Sequence, residues 1–371
     1  MEFLNQNNTA SIVGLDAIKK VSDDLRSDIL ESLRKTTWLS DVDSFGLNIL
    51  DQFVQSINAM RIYTDFDKFD TDLSYVRALN KKFSAHYYES FAKSTGCQWL
   101  DVAIALESGK ILLLEETTNY EILSLLVRVQ NSFQFNAFNF YNNIILLATT
   151  FFPLAQNASE PAFFGSTGRI LAHEMFNIFV SSPYVRDHPY FISESLCMID
   201  HFSSTCRAFG DADCPSGRRT FVEDASDLEG LRQVHYLLTQ KYSVGQLASL
   251  AFPDLPYTLE QIFFYAFASL ECVSSEYDED LRNGTRSPSN IRVNGVLSQM
   301  PEFTKAFNCF DGEPMSAPDQ SVCYLFGQNA ISNENSTFND TSNSSHIRNS
   351  RFRSNRMSLT DLEVLIDALE R

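Results

Sequence analysis

The chain has 371 residues, 44% of them hydrophobic, enough for one large core or two linked ones. Its 47 acidic residues against 29 basic ones give a formal net charge of −18. Such a surface repels phosphate backbones and argues against nucleic acid as a partner. The most apolar run, "NNIILLATTFFPLA" at 142–155, is too short for a membrane span, and "MEFLNQNNTAS" lacks the basic start and apolar core of a signal peptide.

In chain order, residues 1–14 are polar and are expected to be flexible. From 15 to 130, apolar residues at three- and four-residue spacing predict a mainly helical lead-in. Leu25, Ile29 and Leu33 share one stripe, and Leu47, Leu50, Phe53 and Val54 another. The middle of "QFNAFNFYNNIILLATTFF" (134–152), rich in aromatic and β-branched residues, predicts strand. A helix is predicted over 166–182, opened by Ser166 or Thr167 and stopped by Pro183. A second is predicted over 222–242, and a third over 258–277 with Thr258 and Glu260–Gln261 near its start.

After Phe326 the composition turns Asn/Ser-rich and then basic. Residues 327–357 bury too little to order themselves and read as a disordered linker whose Arg348, Arg351, Arg353 and Arg356 are solvated. In 358–371, Thr360 and Glu363 form a capping box, and Leu362, Leu365, Ile366 and Leu369 one apolar face. That short amphipathic helix docks back on the body or binds a partner. The chemistry falls between, at 131–326, so residues 15–326 read as the working domain.

Asn7, Asn157, Asn283, Asn335, Asn339 and Asn343 each begin an N-x-[ST] sequon. Of the cysteines, Cys97, Cys197, Cys206, Cys214, Cys272, Cys309 and Cys323, all but Cys97 follow residue 190, which suits an oxidised, bridged half. Both features point to an extracellular or lumenal location. Cys206 and Cys214 flank a short loop that a local bridge would close.

"LAHEMFNIFV" (171–180) begins like a zinc-peptidase helix. In H-E-x-x-H the two histidines lie one turn apart on one face and grip a single ion, while the Glu serves as general base. Here His173 and Glu174 are in place, but Asn177 stands where the second histidine belongs. A hydrolytic zinc site takes its third protein ligand from another segment. "VEDASDLEGL" offers Glu223, with Asp227 one turn on to accept the N–H of a ligating histidine.

Longer motifs carry a resemblance. "NAFN" (136–139), "FGSTGRILAHE" (164–174), "EDASD" (223–227), "PYTLEQIFFYAFASLEC" (256–272) and "RSPSNIRVNGVLSQMPEFTKAFNC" (286–309) together resemble the catalytic region of the neprilysin family of zinc endopeptidases, over roughly residues 22–326. The resemblance implies an α+β, predominantly helical domain with a thermolysin-like zinc-helix core. It implies metal ligands at His173 and Glu223 and catalytic roles for Glu174, Asp227 and Arg292. It also implies substrate contacts from Asn136, Ala137 and Arg292, and a Cys197–Cys323 disulfide. Cys272 and Cys309 match cysteines that pair with a segment earlier in the family's chain.

The departures fall on the chemistry. The second zinc ligand is Asn177, the Asp that orients that ligand is Val180, the transition-state-stabilising His is Arg286, and the last residue of NAFY is Asn139. Zinc, the family's cofactor, is therefore expected to be absent or weakly bound, leaving an inactive homologue that retains peptide or protein binding. Two alternatives stand beside this reading. One is an active zinc endopeptidase with an unusual ligand set, a water or the Asn177 oxygen beside His173 and Glu223, with His188 and His201 left open as substitutes. His235, about 120° round the helix from Glu223, faces elsewhere. The other is a truncated chain that binds or competes with full-length relatives. Equally open is whether His173, Asp227 and Arg292 persist as a cleft or as a satisfied buried cluster.

Overall fold

The structure, a computed structural model, describes residues 9–43, 45–63, 81, 84–85, 101–102, 104–105, 137–140, 143–146, 159–210, 217–252, 255–272, 284–310, 312–313, 315–316, 322–327 and 330. Asn136, Cys97, Cys214, every sequon asparagine and the predicted C-terminal helix lie outside these residues. The described part is predominantly helical with little sheet, the class the sequence predicts.

Helix α1 spans Thr9–Lys35 and α2 Ile49–Ala59. Between them the turn Thr37–Ser40 buries Trp38 and Leu39. A strand follows where the sequence predicts helix: β1, Arg61–Tyr63, runs parallel to β3, Asn143–Leu146. Strand β2, Ala137–Phe140, pairs antiparallel with β3, giving the order β1-β3-β2. The "AFNF" segment (137–140) thus forms strand, as the aromatic and β-branched content of its surroundings suggests.

The predicted opening of the helix over 166–182 is corrected. Helix begins earlier, at α3 (Glu160–Phe163), and runs through a π-turn at Phe164–Gly168 into α4 (Arg169–Val180). Ser166 does not cap: its Oγ donates back to the Ala162 carbonyl at 2.6 Å, and both Ser166 and Thr167 are buried mid-helix. A cap needs free N–H groups ahead of it, and the preceding helical turns have consumed them. At the other end Ser181 closes the helix before Pro183.

Helix α4 is buried on nearly every side, as a helix in the middle of a domain is. Phe176 and Phe179 meet Phe326 and Phe53, while Leu171, Ala172, Met175 and Val180 are fully buried. Against it lies α6 (Gly217–Lys241), which follows α5 (Pro189–Phe209). Glu223, Asp227 and Gly230 recur at four- and three-residue spacing, so α6 turns one face toward α4. The glycine sets how near the two axes come. A methyl group on Gly230 would sit 2.8 Å from the His173 backbone nitrogen and 3.1 Å from the Ala172 carbonyl carbon.

Past α6 come the short helix α7 (Val244–Leu247), the hairpin β4–β5 (Leu250–Phe252 and Leu255–Thr258) and α8 (Leu259–Leu270). Thr258 caps α8 in a box with Gln261. Helices α9 (Ser289–Leu297) and α10 (Pro301–Ala306) complete the described elements. Residues 322–327 strap the body. Cys323 bridges to Cys197 on α5 with a Cα separation of 5.8 Å, Arg232 donates to the Cys323 carbonyl, and Trp38 donates to that of Leu325. Cys206 is also oxidised, whereas Cys272 and Cys309 are free. Among the described residues no helix is long and apolar enough to cross a membrane.

Replacing Gly230 with Ala pushes α6 off α4 at His173. The expected cost is about 1–3 kcal/mol, typical of overpacking, read as a lower urea midpoint. An unchanged midpoint would mean that the two helices are not locked at this crossing.

Candidate metal centre and its ion-pair network

Asp227 sits at the centre of a buried cluster. Its side chain is fully buried, which is costly for a carboxylate unless it is paired. Three cations answer it. From α4, Arg169 Nη2 lies 2.9 Å from Oδ1 and His173 Nδ1 2.7 Å from the same oxygen. From α9, Arg292 places Nε 2.7 Å and Nη2 2.6 Å from Oδ2. Glu271, just past α8, shares Arg169 Nη2 with Asp227 at 2.6 Å and takes the outer nitrogen of Arg292, Nη1, at 3.3 Å. Arg169 and His173 are four residues apart, one turn on one face, which is why a single carboxylate reaches both.

The electrostatics follow. Burial alone would raise the Asp227 pKa, but Arg169, Arg292 and His173 hold it far below the usual carboxylate range. Burial would lower His173; Asp227 first and Glu223 second overcome it and raise the imidazole to about 9. Arg292, buried on Asp227 and Glu271, is pushed further up.

The rim of the cluster is where the metal ligands are predicted. Glu223 faces the free side of His173, with Nε2 3.5 Å from Oε2. Two ligands held about 2.0–2.1 Å from a tetrahedral zinc are about 3.4 Å apart, so these two keep the spacing of adjacent corners. The rest of the set does not follow. Asn177 turns its amide nitrogen to Glu223 Oε1 at 3.4 Å. Val180 is fully buried and offers no polar group. Arg286 brings Nε to 3.0 Å from Glu223 Oε2. That contact is a charge pair rather than a directed hydrogen bond, since Oε2 accepts none. Against the pull of burial, His173, Arg286 and Arg292 lower Glu223 to about 2.

One imidazole and one carboxylate, the latter already paired with a guanidinium, do not fit a zinc ion held by three protein ligands. Among the described residues no group of three or more His, Cys, Asp or Glu side chains is arranged to hold a metal ion. The other described histidines are engaged elsewhere. His188 meets Asp41, His201 the Gly295 carbonyl, and His235 Glu260.

The remaining predicted residues are placed as follows. Glu174 is buried next to His173, and burial raises its pKa. Its backbone carbonyl accepts from Asn139 Nδ2 at 3.1 Å, which ties β2 to α4. Ala137 is buried in β2. Arg292, predicted to hold substrate, has its guanidinium committed to Asp227 and Glu271. Sequence reasoning passed over Arg169 and Glu271. Arg169 carries a usable signal, its i−4 spacing from His173; Glu271, 102 residues from Arg169, carries none. Also missed is Asp224, buried and raised to about 7 despite hydrogen bonds from Thr220 and Ser287.

Comparison with known proteins fits this geometry. The model of Peptidase family M13 matches residues 134–323, just over half of the chain. The chain belongs to that family, the neprilysin-like metallopeptidases. It is 29% identical to the Kell blood group glycoprotein of Homo sapiens over 175 residues, covering 44% of this chain and 22% of that protein. Endothelin-converting enzyme 1 of Homo sapiens gives 29% over 171 residues, 42% of this chain and 22% of the enzyme. Neprilysin-2 of Drosophila melanogaster gives 28% over 179 residues, 43% and 23%. The matches thus span about a fifth of the length of these relatives. Among solved structures, PepO from Lactobacillus rhamnosis HN001 superposes with a TM-score of 0.59 at 15% identity, over 87% of this chain and 48% of that one. The Mycobacterium tuberculosis zinc metalloprotease Zmp1 in complex with an inhibitor gives 0.56 at 15% identity, over 84% and 47%. Both likenesses concern the fold.

His173 provides a pH test. Its folded pKa, about 9, lies above the ordinary 6.5. Its contribution to stability is therefore complete below about pH 6.5 and is lost as pH rises through about 9. Imidazole NMR of the metal-free protein should show His173 still protonated at pH 8, and the stability difference from His173→Ala should shrink above that pH. A resonance titrating near 6.5 would contradict the pairing with Asp227.

Proposed function

We propose that this chain is a peptidase-family protein whose zinc chemistry has lapsed and whose cleft binds peptide or protein without hydrolysing it. The observation that carries the reading is Asn177, an amide donor to Glu223 at the second ligand position, backed by apolar Val180 where a ligand-orienting carboxylate would be needed. Loss of an outer-shell partner alone weakens metal binding about 10–100-fold; loss of the ligand goes further. Without a bound ion no water is activated and no carbonyl polarised, and Glu174 has nothing to deprotonate. Support for retained binding comes from His173 and Glu174 on α4 and Glu223 on α6, which keep the family's residue types on facing helices. The disulfide at Cys197–Cys323, together with the sequons, supports an extracellular or lumenal setting.

A second reading draws on one distance. The 3.5 Å separation of His173 Nε2 and Glu223 Oε2 would let zinc bind through two protein ligands and water, giving an active endopeptidase. The readings part on a single preparation. Purified protein dialysed against micromolar zinc should retain well under one equivalent of metal and leave a broad set of peptides uncut while still binding some of them. Stoichiometric zinc with peptide cleavage would establish the second reading instead.

A further inference from the structure

Glu223 is ringed by nitrogen. His173 Nε2 lies 3.5 Å and Arg286 Nε 3.0 Å from Oε2, and Asn177 Nδ2 3.4 Å from Oε1. Arg286 makes no other polar contact among the described residues, and its side chain is 35% exposed. Its backbone is held beside α6. The next residue, Ser287, is buried and donates to Asp224 Oδ2 at 2.8 Å, and Asp224 directly follows Glu223. Past Ser287, α9 starts and delivers Arg292 to Asp227. The segment bearing Arg286 is therefore pinned to Glu223's helix from the adjoining residue, and the guanidinium meets the one carboxylate oxygen that also faces His173.

We propose that Arg286 is the resident cation of this site: its guanidinium takes the charge role of a metal ion beside Glu223 and keeps a divalent cation out. This deepens the reading above and rests on it. A guanidinium stays charged at any pH at which the protein is folded, so it cannot yield by losing a proton. An ion entering between His173 Nε2 and Glu223 Oε2 would have to share Oε2 with that fixed positive charge at a few ångströms, in surroundings far less polarisable than water. The site is then closed to metal twice over, by a missing ligand at 177 and by an occupied carboxylate. As a sequence change, Arg in place of His looks mild because both donate hydrogen bonds; its position on Glu223 makes it a second obstruction.

The test separates charge from ligand count. Zinc affinity is measured by competition with a chromophoric chelator for the natural chain, Arg286→Gln and Arg286→Lys, and for the same series in an Asn177→His, Val180→Asp background. Circular dichroism verifies that each is folded. Gln removes the charge while keeping an N–H donor; Lys keeps the charge. The expectation is that Arg286→Gln binds zinc at least about tenfold tighter than its parent, on the scale of other groups adjoining metal ligands, and that Arg286→Lys does not. The comparison in the natural background holds even if Val180→Asp does not fold. No gain from Arg286→Gln in the folded backgrounds, or an equal gain from Arg286→Lys, would overturn the proposal while leaving the lapsed-site reading intact. Stoichiometric, tight zinc in the unaltered chain would overturn that reading itself.

Discussion

Much of this domain depends on one buried carboxylate. Asp227 has no access to water, and an unpaired charge in that position costs several kcal/mol. The fold meets the cost by converging two helices on it: α4 supplies Arg169 and His173 from successive turns, and α9 supplies Arg292. Glu271 accepts from Arg169 Nη2, which it shares with Asp227, and from Arg292 Nη1. Gly230 lets α6 approach closely enough for the contacts to form. Each partner is fixed by the others, so the cluster specifies the arrangement of the helices as much as it stabilises them.

The cluster and its rim have different constraints. Inside, every charge is answered from within the chain, and removing one member leaves another buried and unpaired. At the rim, Asn177, Glu223 and Arg286 are less buried and can change without unpacking the core. That separation explains how a chain can belong to a metallopeptidase family, keep the family's fold, and still depart from it where metal would bind. Residues such as His173 and Asp227 answer first to folding, so their presence alone does not report activity.

Legibility in the sequence followed the range of the physics. The one-turn spacing of Glu223 and Asp227 placed both on one helix face, and the family motifs placed that face against His173. Neither step needs long-range information. The π-turn at Phe164–Gly168 was hidden because Ser166 and Thr167 are good capping residues when read locally; only the helical turns before them remove that role. Arg292 reads as a substrate contact because its motif is a family motif, and its commitment to Asp227 and Glu271 depends on residues 65 and 21 positions away. Arg286 shows the same limit. Its substitution is visible in the sequence, but its effect depends on which oxygen of Glu223 it meets.

The central claim, that protein cations and amides rather than a metal ion satisfy Glu223, is tested most directly by anomalous diffraction at the zinc edge from crystals grown in excess zinc. The account predicts Arg286 seated on Glu223, with no anomalous peak between His173 Nε2 and Glu223 Oε2. A full-occupancy peak about 2 Å from both atoms, with the Arg286 side chain swung away, would contradict it.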